Sequence, residues 1–209
     1  MAEHTLARER ISDKSSPLVS VGIPVYNAES FLEQALDSLL DQDYPNLEII
    51  LSDNASTDKT SEICTRYVKQ DPRVRYHRCS KNGGAIRNFN HVFDLSRGDF
   101  FMWAGAHDRW DSNFISTCLS LLLENPKAVL SFGNYNHIDE DNRTLSTIPI
   151  ATDTRQMQAS ERLRSVIHDP TACFKVYSLI RSRAMKETQL FQLSFFYRLS
   201  FSGTTELTW

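Results

Sequence analysis

From Leu18 to Leu51 the chain reads LVSVGIPVYNAESFLEQALDSLLDQDYPNLEIIL, an apolar run, a helix-period segment and a second apolar run in succession. The first run, Leu18 to Ile23, predicts a strand, and Pro24, which has no N–H to donate to a ladder, closes it. Phe31, Leu32, Ala35, Leu36, Leu39 and Leu40 then recur at helical spacing, with Glu33, Gln34, Asp37 and Asp41 on the opposite face. A helix of this kind between two short apolar strands is the repeating unit of a parallel sheet covered by helices.

Outward from that stretch the cycle repeats. A strand is expected at Leu47 to Leu51, a helix around Ile63, Cys64, Tyr67 and Val68, and a strand at Val74 to Arg78. The next helix carries Ile86, Phe89 and Phe93 on one stripe. After Gly98, the run Phe100 to Ala104 suits a central strand. A helix bearing Phe114, Ile115, Cys118, Leu119 and Leu122 leads to Ala128 to Phe132, read as another buried strand. Past Tyr135 the alternation stops. Ile138 to Leu145 reads as a hairpin with a polar tip, Ser160 to Ile167 as a short helix, Phe174 to Ile180 as a strand and Arg181 to Lys186 as a helix.

Length and composition fit this picture. The 209 residues, 41% of them hydrophobic and 23% charged, are expected to form a single soluble α/β domain over residues 18–209, after a charged, flexible tail at 1–17. Residues 18–134, which hold the strand–helix alternation, would form one half of it and residues 135–209, where the alternation stops, the other. A net charge of −3 gives no basic face for displacing counterions, which argues against nucleic acid as a partner. Cys64, Cys79, Cys118 and Cys173 form no C-x-x-C pair and are expected to be reduced thiols. The tail has no apolar stretch resembling a secretory signal, and no run reaches the ~18 residues that cross a bilayer. The expected location is cytoplasmic, with membrane contact limited to a peripheral one at the inner face.

In an open parallel sheet, ligands bind beyond the carboxyl ends of the strands. Four polar loops follow strands and open helices there: Pro24 to Glu29, Asp53 to Asp58, Asn82 to Asn88 and Gly105 to Asp111. Each contains residues that cap helices, and each offers the unpaired N–H groups of a helix start. Taken singly, such a loop is a capped turn; four on one edge of one sheet describe a binding cleft.

These residues resemble glycosyltransferase family 2, enzymes of the GT-A fold, which is Rossmann-like, with a mostly parallel sheet flanked by helices and a smaller acceptor-side hairpin region. The resemblance covers about Leu18 to Leu190 and implies a nucleotide-sugar-binding half at 18–134 and a partial acceptor-binding half at 135–209. It is carried by SVGIPVYNAESFLEQALDSLLDQDYPNLEIILSDNASTDKTSEI (20–63), by KNGGAIRNFNHVF (81–93), similar to the family's third loop, and by GDFFMWAGAHDRWDSNF (98–114), similar to the strand and loop bearing its Asp-x-Asp metal motif.

The resemblance implies a transferase that moves a sugar from a nucleotide-diphospho-sugar, UDP- or dTDP-linked, to a saccharide or lipid-linked acceptor hydroxyl with inversion, in polysaccharide or glycoconjugate synthesis. It places Pro24, Tyr26 and Asn27 under the nucleoside and Glu29 at the ribose or base. Asp53, with Asn54 and Ser56 beside it, would grip the base N–H. Gly83 would let the backbone approach the ligand, and Arg87 would lie beside the pyrophosphate, where a guanidinium fork matches phosphate oxygens.

The metal loop departs from the family pattern. Its matching triplet is Ala106-His107-Asp108, so Asp108, as catalytic metal holder, and His107 are the expected ligands; an imidazole beside a carboxylate suits Mn²⁺ better than Mg²⁺. A general base must take the acceptor proton. The family's Asp aligns with Thr205, which leaves Glu206 as the nearest carboxylate and the candidate base. A second reading, motivated by Ala106, Thr205 and the chain end at Trp209, is a catalytically impaired or truncated nucleotide-sugar-binding or scaffold protein of the same fold. A nucleotidyltransferase is disfavoured, because no Gly-rich phosphate loop with a lysine follows the first strand.

Overall fold

The structure, a computed structural model, describes residues 16–139, 141–149, 153–169, 172–188 and 190. The expected tail at 1–17 therefore lies almost wholly outside the described residues. So does the candidate base Glu206.

Strands and helices alternate as β1 (Val19–Val25), α1 (Leu32–Leu40), β2 (Leu47–Asp53), α2 (Thr60–Gln70), β3 (Val74–Arg78), α3 (Ala85–Asp94), β4 (Phe100–Trp103) and α4 (Phe114–Glu124). After them come β5 (Leu130–Ser131), the hairpin β6 (Tyr135–Ile138) and β7 (Thr144–Ile148), α5 (Ala159–Ile167), a 3₁₀ turn (Ala172–Tyr177), β8 (Leu179–Arg181) and α6 (Ser182–Lys186). The main sheet has six strands in the order β3-β2-β1-β4-β8-β5. β1 to β4 pair in parallel, and β8 is antiparallel to both neighbours.

The alternation of side chains along buried strands supplies two cores. Val21, Ile49, Leu51, Phe100 and Met102 face one side and pack with Leu32, Leu36 and Leu39 of α1, Ile63 and Tyr67 of α2, and Ile115 and Leu119 of α4. Ile50, Phe101 and Trp103 face the other side with Val92 and Phe93 of α3. There Phe101 meets both Phe93 and Trp103 edge-on, at centroid distances of 4.9 Å. Gly22 makes room for this cluster: a Cβ at that position would lie 2.7 Å from the Phe101 ring. Glu48 is buried in β2 but matched, accepting from Ser20 Oγ at 2.6 Å and from the backbone N–H of Arg97 at 2.8 Å, and pairing with Arg75 at 2.8 Å.

Three expectations need correction. β1 does not end at Pro24 but runs on to Val25, in register with β2 as far as Val25 opposite Asp53. Gly22 O accepts from Ala104 of the β4 side, so strand alternation turns the Pro24 nitrogen to that same side, where β4 has ended opposite Gly22. The missing N–H therefore costs no ladder bond. The strand expected at Ala128 to Phe132 is a two-residue edge strand rather than a buried one, with Val129 48% and Leu130 38% exposed. Phe174 to Ile180 is mainly a 3₁₀ turn, closed by the Ser178 N–H on Lys175 O at 3.2 Å, and only Leu179–Arg181 is strand.

Candidate functional site

Parallel pairing brings the first two loops side by side, and they are stitched by side chains. Asn27, at φ 48°, donates its N–H to Ser56 Oγ at 3.0 Å and accepts from the Thr57 N–H at 2.9 Å. Ala28 N donates to Thr60 Oγ1 at 2.8 Å, and Glu29 N to Asp58 Oδ2 at 3.1 Å. The Glu29 carboxylate in turn accepts from the Lys59 N–H at 2.9 Å, at the start of α2. An exposed carboxylate at a helix N-terminus is favoured by the helix dipole, so Glu29 here ties the loops together. Ala55, a residue with a Cβ, sits at φ 61°, a conformation that costs about 1–2 kcal/mol without support.

Asp53 ends β2 at 0% exposure. Its Oδ1 accepts from the Ser56 N–H at 2.8 Å, and its Oδ2 from Tyr76 Oη at 2.8 Å, with Arg78 Nε 3.9 Å away. Burial, followed by the Asp53 contact, pushes the Tyr76 hydroxyl pKa up, so Tyr76 stays a donor. In this structure Asp53 is thus the internal support of the second loop and of Arg78, which also donates to Ser56 O at 2.8 Å.

The third loop borders a cavity of about 370 Å³, lined by Asn54, His77, Arg78, Cys79, Ser80, Lys81, Gly83, Arg87, Asn88 and His91. Asn54 shapes its wall by donating to Asn82 Oδ1 and accepting from the Gly83 N–H, both at 2.8 Å. Gly84, at φ 85°, turns the chain into α3 in a left-handed conformation that glycine takes without a Cβ clash. Asn88 locks α3 to the strand ends, accepting from Ser52 Oγ at 2.6 Å and donating to Ser52 O at 2.8 Å. Arg78, Lys81 and Arg87 give the cavity three cationic side chains, and no described carboxylate lines it. Burial, then His77 and Arg87, hold the His91 pKa below its ordinary value against the opposing pull of Asp94.

The fourth loop is carried by α1 as well as β4. Gln42 accepts from the Ile115 N–H at 3.0 Å and donates to Asp111 O at 2.7 Å, while Asp43 N donates to Ser112 O at 2.8 Å. Asp108 and His107 bring a carboxylate and an imidazole to 3.9 Å. Although 39% of its side chain is exposed, crowding raises the Asp108 pKa, and His107 opposes the shift. The two atoms fit a shared divalent ion as one hard and one borderline ligand, the remaining positions being left to phosphate or water oxygens. Ala106 belongs to the buried core, so position 106 offers no ligand. Gly105 lies so close to Asp108 that a Cβ there would be 2.3 Å from Oδ2.

The structure therefore brings Asn54, Gly83 and Arg87 to one cavity, while Ser56 and Asp53 are buried and reach its lining through Arg78. Pro24 is part of β1, Tyr26 is 39% exposed on the first loop, and Asn27 and Glu29 join that loop to the second. Asp108 and His107 occupy the fourth loop and do not line the cavity. Sequence reasoning missed His77, Arg78, Cys79, Ser80, Lys81 and His91. The one available signal was the run of basic and thiol residues closing β3, His77-Arg78-Cys79.

A family model described as Glycosyl transferase family 2 matches residues 20–187. The glycosyltransferase GlyG of Streptococcus pneumoniae serotype 4 is 35% identical over 125 residues, covering 60% of this chain and 41% of that protein. The chain spans about half the length of the curated relatives it matches. Among solved structures, TarS 1-349 of S. aureus in complex with UDP-GlcNAc superposes with a TM-score of 0.55 at 18% identity, over 81% of this chain and 47% of that one. The mannosyltransferase PcManGT of Pyrobaculum calidifontis, in complex with GDP-Man and Mn²⁺, gives 0.52 at 22% identity, over 62% and 41%. These likenesses establish the fold, a mainly parallel sheet flanked by helices with a small hairpin.

Proposed function

Because this chain belongs to glycosyl transferase family 2, we propose that it transfers a sugar from a nucleoside-diphosphate donor to an acceptor hydroxyl, with the diphosphate held at the cavity beside α3. The observation that carries this reading is the set Arg78, Lys81 and Arg87 around a cavity of about 370 Å³ at the carboxyl end of the parallel strands, with no described carboxylate in its lining. An arginine fork meets phosphate oxygens through two parallel hydrogen bonds, and a lysine adds a point charge. Departure of a nucleoside diphosphate leaves charge on those oxygens, so cations fixed beforehand stabilise the transition state.

Within this proposal Tyr26 and Asn27 border the nucleoside, and Glu29 and Asn54 offer acceptors or donors to the ribose and base. Asp53 contributes to base recognition through the loop it supports. UDP and dTDP are the first donors to test, and TarS, which binds UDP-GlcNAc, supports the choice of UDP. His107 and Asp108 would hold a divalent ion that neutralises phosphate charge, and the Mn²⁺ of PcManGT supports manganese. Inversion would follow from attack of the acceptor oxygen on the anomeric carbon opposite the departing diphosphate, with a carboxylate, Glu206 on the sequence reading, taking the hydroxyl proton. The acceptor, saccharide or lipid-linked, would approach from the side of the β6–β7 hairpin. Among the described residues no helix is long and apolar enough to cross a membrane.

Calorimetric titration with UDP, dTDP and GDP, with and without Mn²⁺, tests the binding part; no saturable binding of any of the three overturns it. Release of free sugar or transfer product from a bound donor tests the chemistry. Tight binding without turnover would favour the alternative of a non-catalytic binding protein of the same fold.

A further inference from the structure

The cavity has a second chemical character that diphosphate binding does not use. His77 lies one residue before the end of β3 and Cys79 one residue past it, so strand alternation puts both side chains on one face of the sheet. His77 is in register with Ser52, whose hydroxyl donates to Asn88 of α3, so this is the face that α3 covers. His91 projects from α3 to meet them. One ligand atom from each of His77, Cys79 and His91 lies within 4.8 Å of the other two, and the imidazole rings meet edge-on at 4.6 Å. Cys79 is anchored through its backbone N–H, which donates to Asp53 O at 2.8 Å, and its sulfur carries no disulfide.

We propose that His77, Cys79 and His91 form a binding site for a zinc-class transition-metal ion, at the wall of the cavity and separate from His107 and Asp108. Two imidazoles and one thiolate are a ligand set for zinc rather than for magnesium, calcium or manganese, which favour oxygen. Tetrahedral zinc with nitrogen at ~2.0 Å and sulfur at ~2.3 Å needs ligand atoms about 3.3–3.5 Å apart. Atoms that already lie within 4.8 Å of one another reach that spacing by side-chain rotation, which is open to an exposed His77 and a half-buried Cys79 and His91. The fourth position then faces the cavity, where water or an anion oxygen completes the shell. Arg78, Lys81 and Arg87 oppose a dication there, and the thiolate offsets part of that repulsion. Binding is balanced by release of one proton, as the Cys79 S–H becomes a zinc-bound thiolate.

The test uses the full chain and the metal alone, with no nucleotide present. Chelator-treated protein is titrated with Zn²⁺ by calorimetry and separately with Co²⁺ by absorbance. The expected results are one equivalent bound, a thiolate-to-cobalt charge-transfer band, and loss of that band in Cys79→Ser. Zinc affinity should fall more than ~10-fold in Cys79→Ser and in His91→Ala, since even outer-shell changes cost that much at metal sites. His77→Ala, at an exposed position, gives the same reading should either of the other variants fail to fold. No saturable Zn²⁺ binding by the native chain, a Co²⁺ spectrum without the thiolate band, or affinity unchanged in the folded variants would each overturn the proposal. Because no nucleotide takes part, these outcomes are distinct from failure of the donor-binding proposal.

Discussion

Tyr76 Oη donates a 2.8 Å hydrogen bond to Asp53 Oδ2, so the middle of β3 holds the carboxylate that ends β2. Asp53 has no exposed surface, and its other oxygen accepts from the Ser56 N–H. Tyr76→Phe would leave a buried carboxylate oxygen short of a donor, which costs about 1–3 kcal/mol. We expect a lower thermal midpoint and weaker nucleotide binding in this variant, measured by calorimetry on the same preparation. A midpoint equal to that of the native chain would show that Asp53 is supported otherwise.

Arg87 faces the cavity from the first turn of α3, and its side chain lies against Gly83, where a Cβ would meet Arg87 Cδ at 2.7 Å. Arg87→Ala removes one charged donor, and a hydrogen bond to a charged group contributes about 1.5–3 kcal/mol. UDP affinity is expected to fall by about 10- to 150-fold. The salt dependence of the remaining affinity should flatten. Unchanged UDP affinity would place the diphosphate away from α3.

The fourth loop has its own steric test. Gly105→Ala would put a Cβ 2.3 Å from Asp108 Oδ2, so the carboxylate must turn away. Stimulation of donor binding by Mn²⁺ should be reduced in Gly105→Ala and in Asp108→Asn alike, while metal-free binding changes little. Mn²⁺ stimulation that survives both substitutions would remove Asp108 from the proposed metal site.

Asp71, after α2, is gripped by Arg73 through bonds of 2.8 to 3.3 Å, and the same arginine donates to Leu40 O at the end of α1. The Arg73 hydrogen bond holds the Asp71 carboxyl below its ordinary value of 3.8. Because the folded value lies below the unfolded one, the stabilisation is complete above about pH 4 and fades as pH falls through the folded value. Both side chains are partly exposed, so its size is at most about 1 kcal/mol. Urea unfolding between pH 2 and 7 should show a shallower acid loss in Asp71→Asn; an identical pH profile would show that the pair contributes nothing.

Much of the architecture was legible in the chain itself, because strands buried on both faces must be apolar throughout and helices covering them must carry a 3.6-residue stripe. Hence β2, β4 and the helices around Phe89 and Ile115 fell where the pattern put them, and the β6–β7 hairpin around its polar tip as well. The four loops followed from the same alternation, since each strand in a parallel layer ends on the same edge. Pairing across the sheet was beyond its reach. Whether Pro24 stops a strand depends on how far β4 extends beside it, and whether Val129 and Leu130 are buried depends on β5 lying at the edge. The electrostatics of the cavity were likewise set in three dimensions. Asp53 reads as an open ligand until Tyr76 and Ser56 are placed around it, and His77, Cys79 and His91 become neighbours only when α3 packs across the end of β3. Local pattern specifies which residues are buried, whereas a site depends on side chains from separate elements meeting, and that is a property of packing.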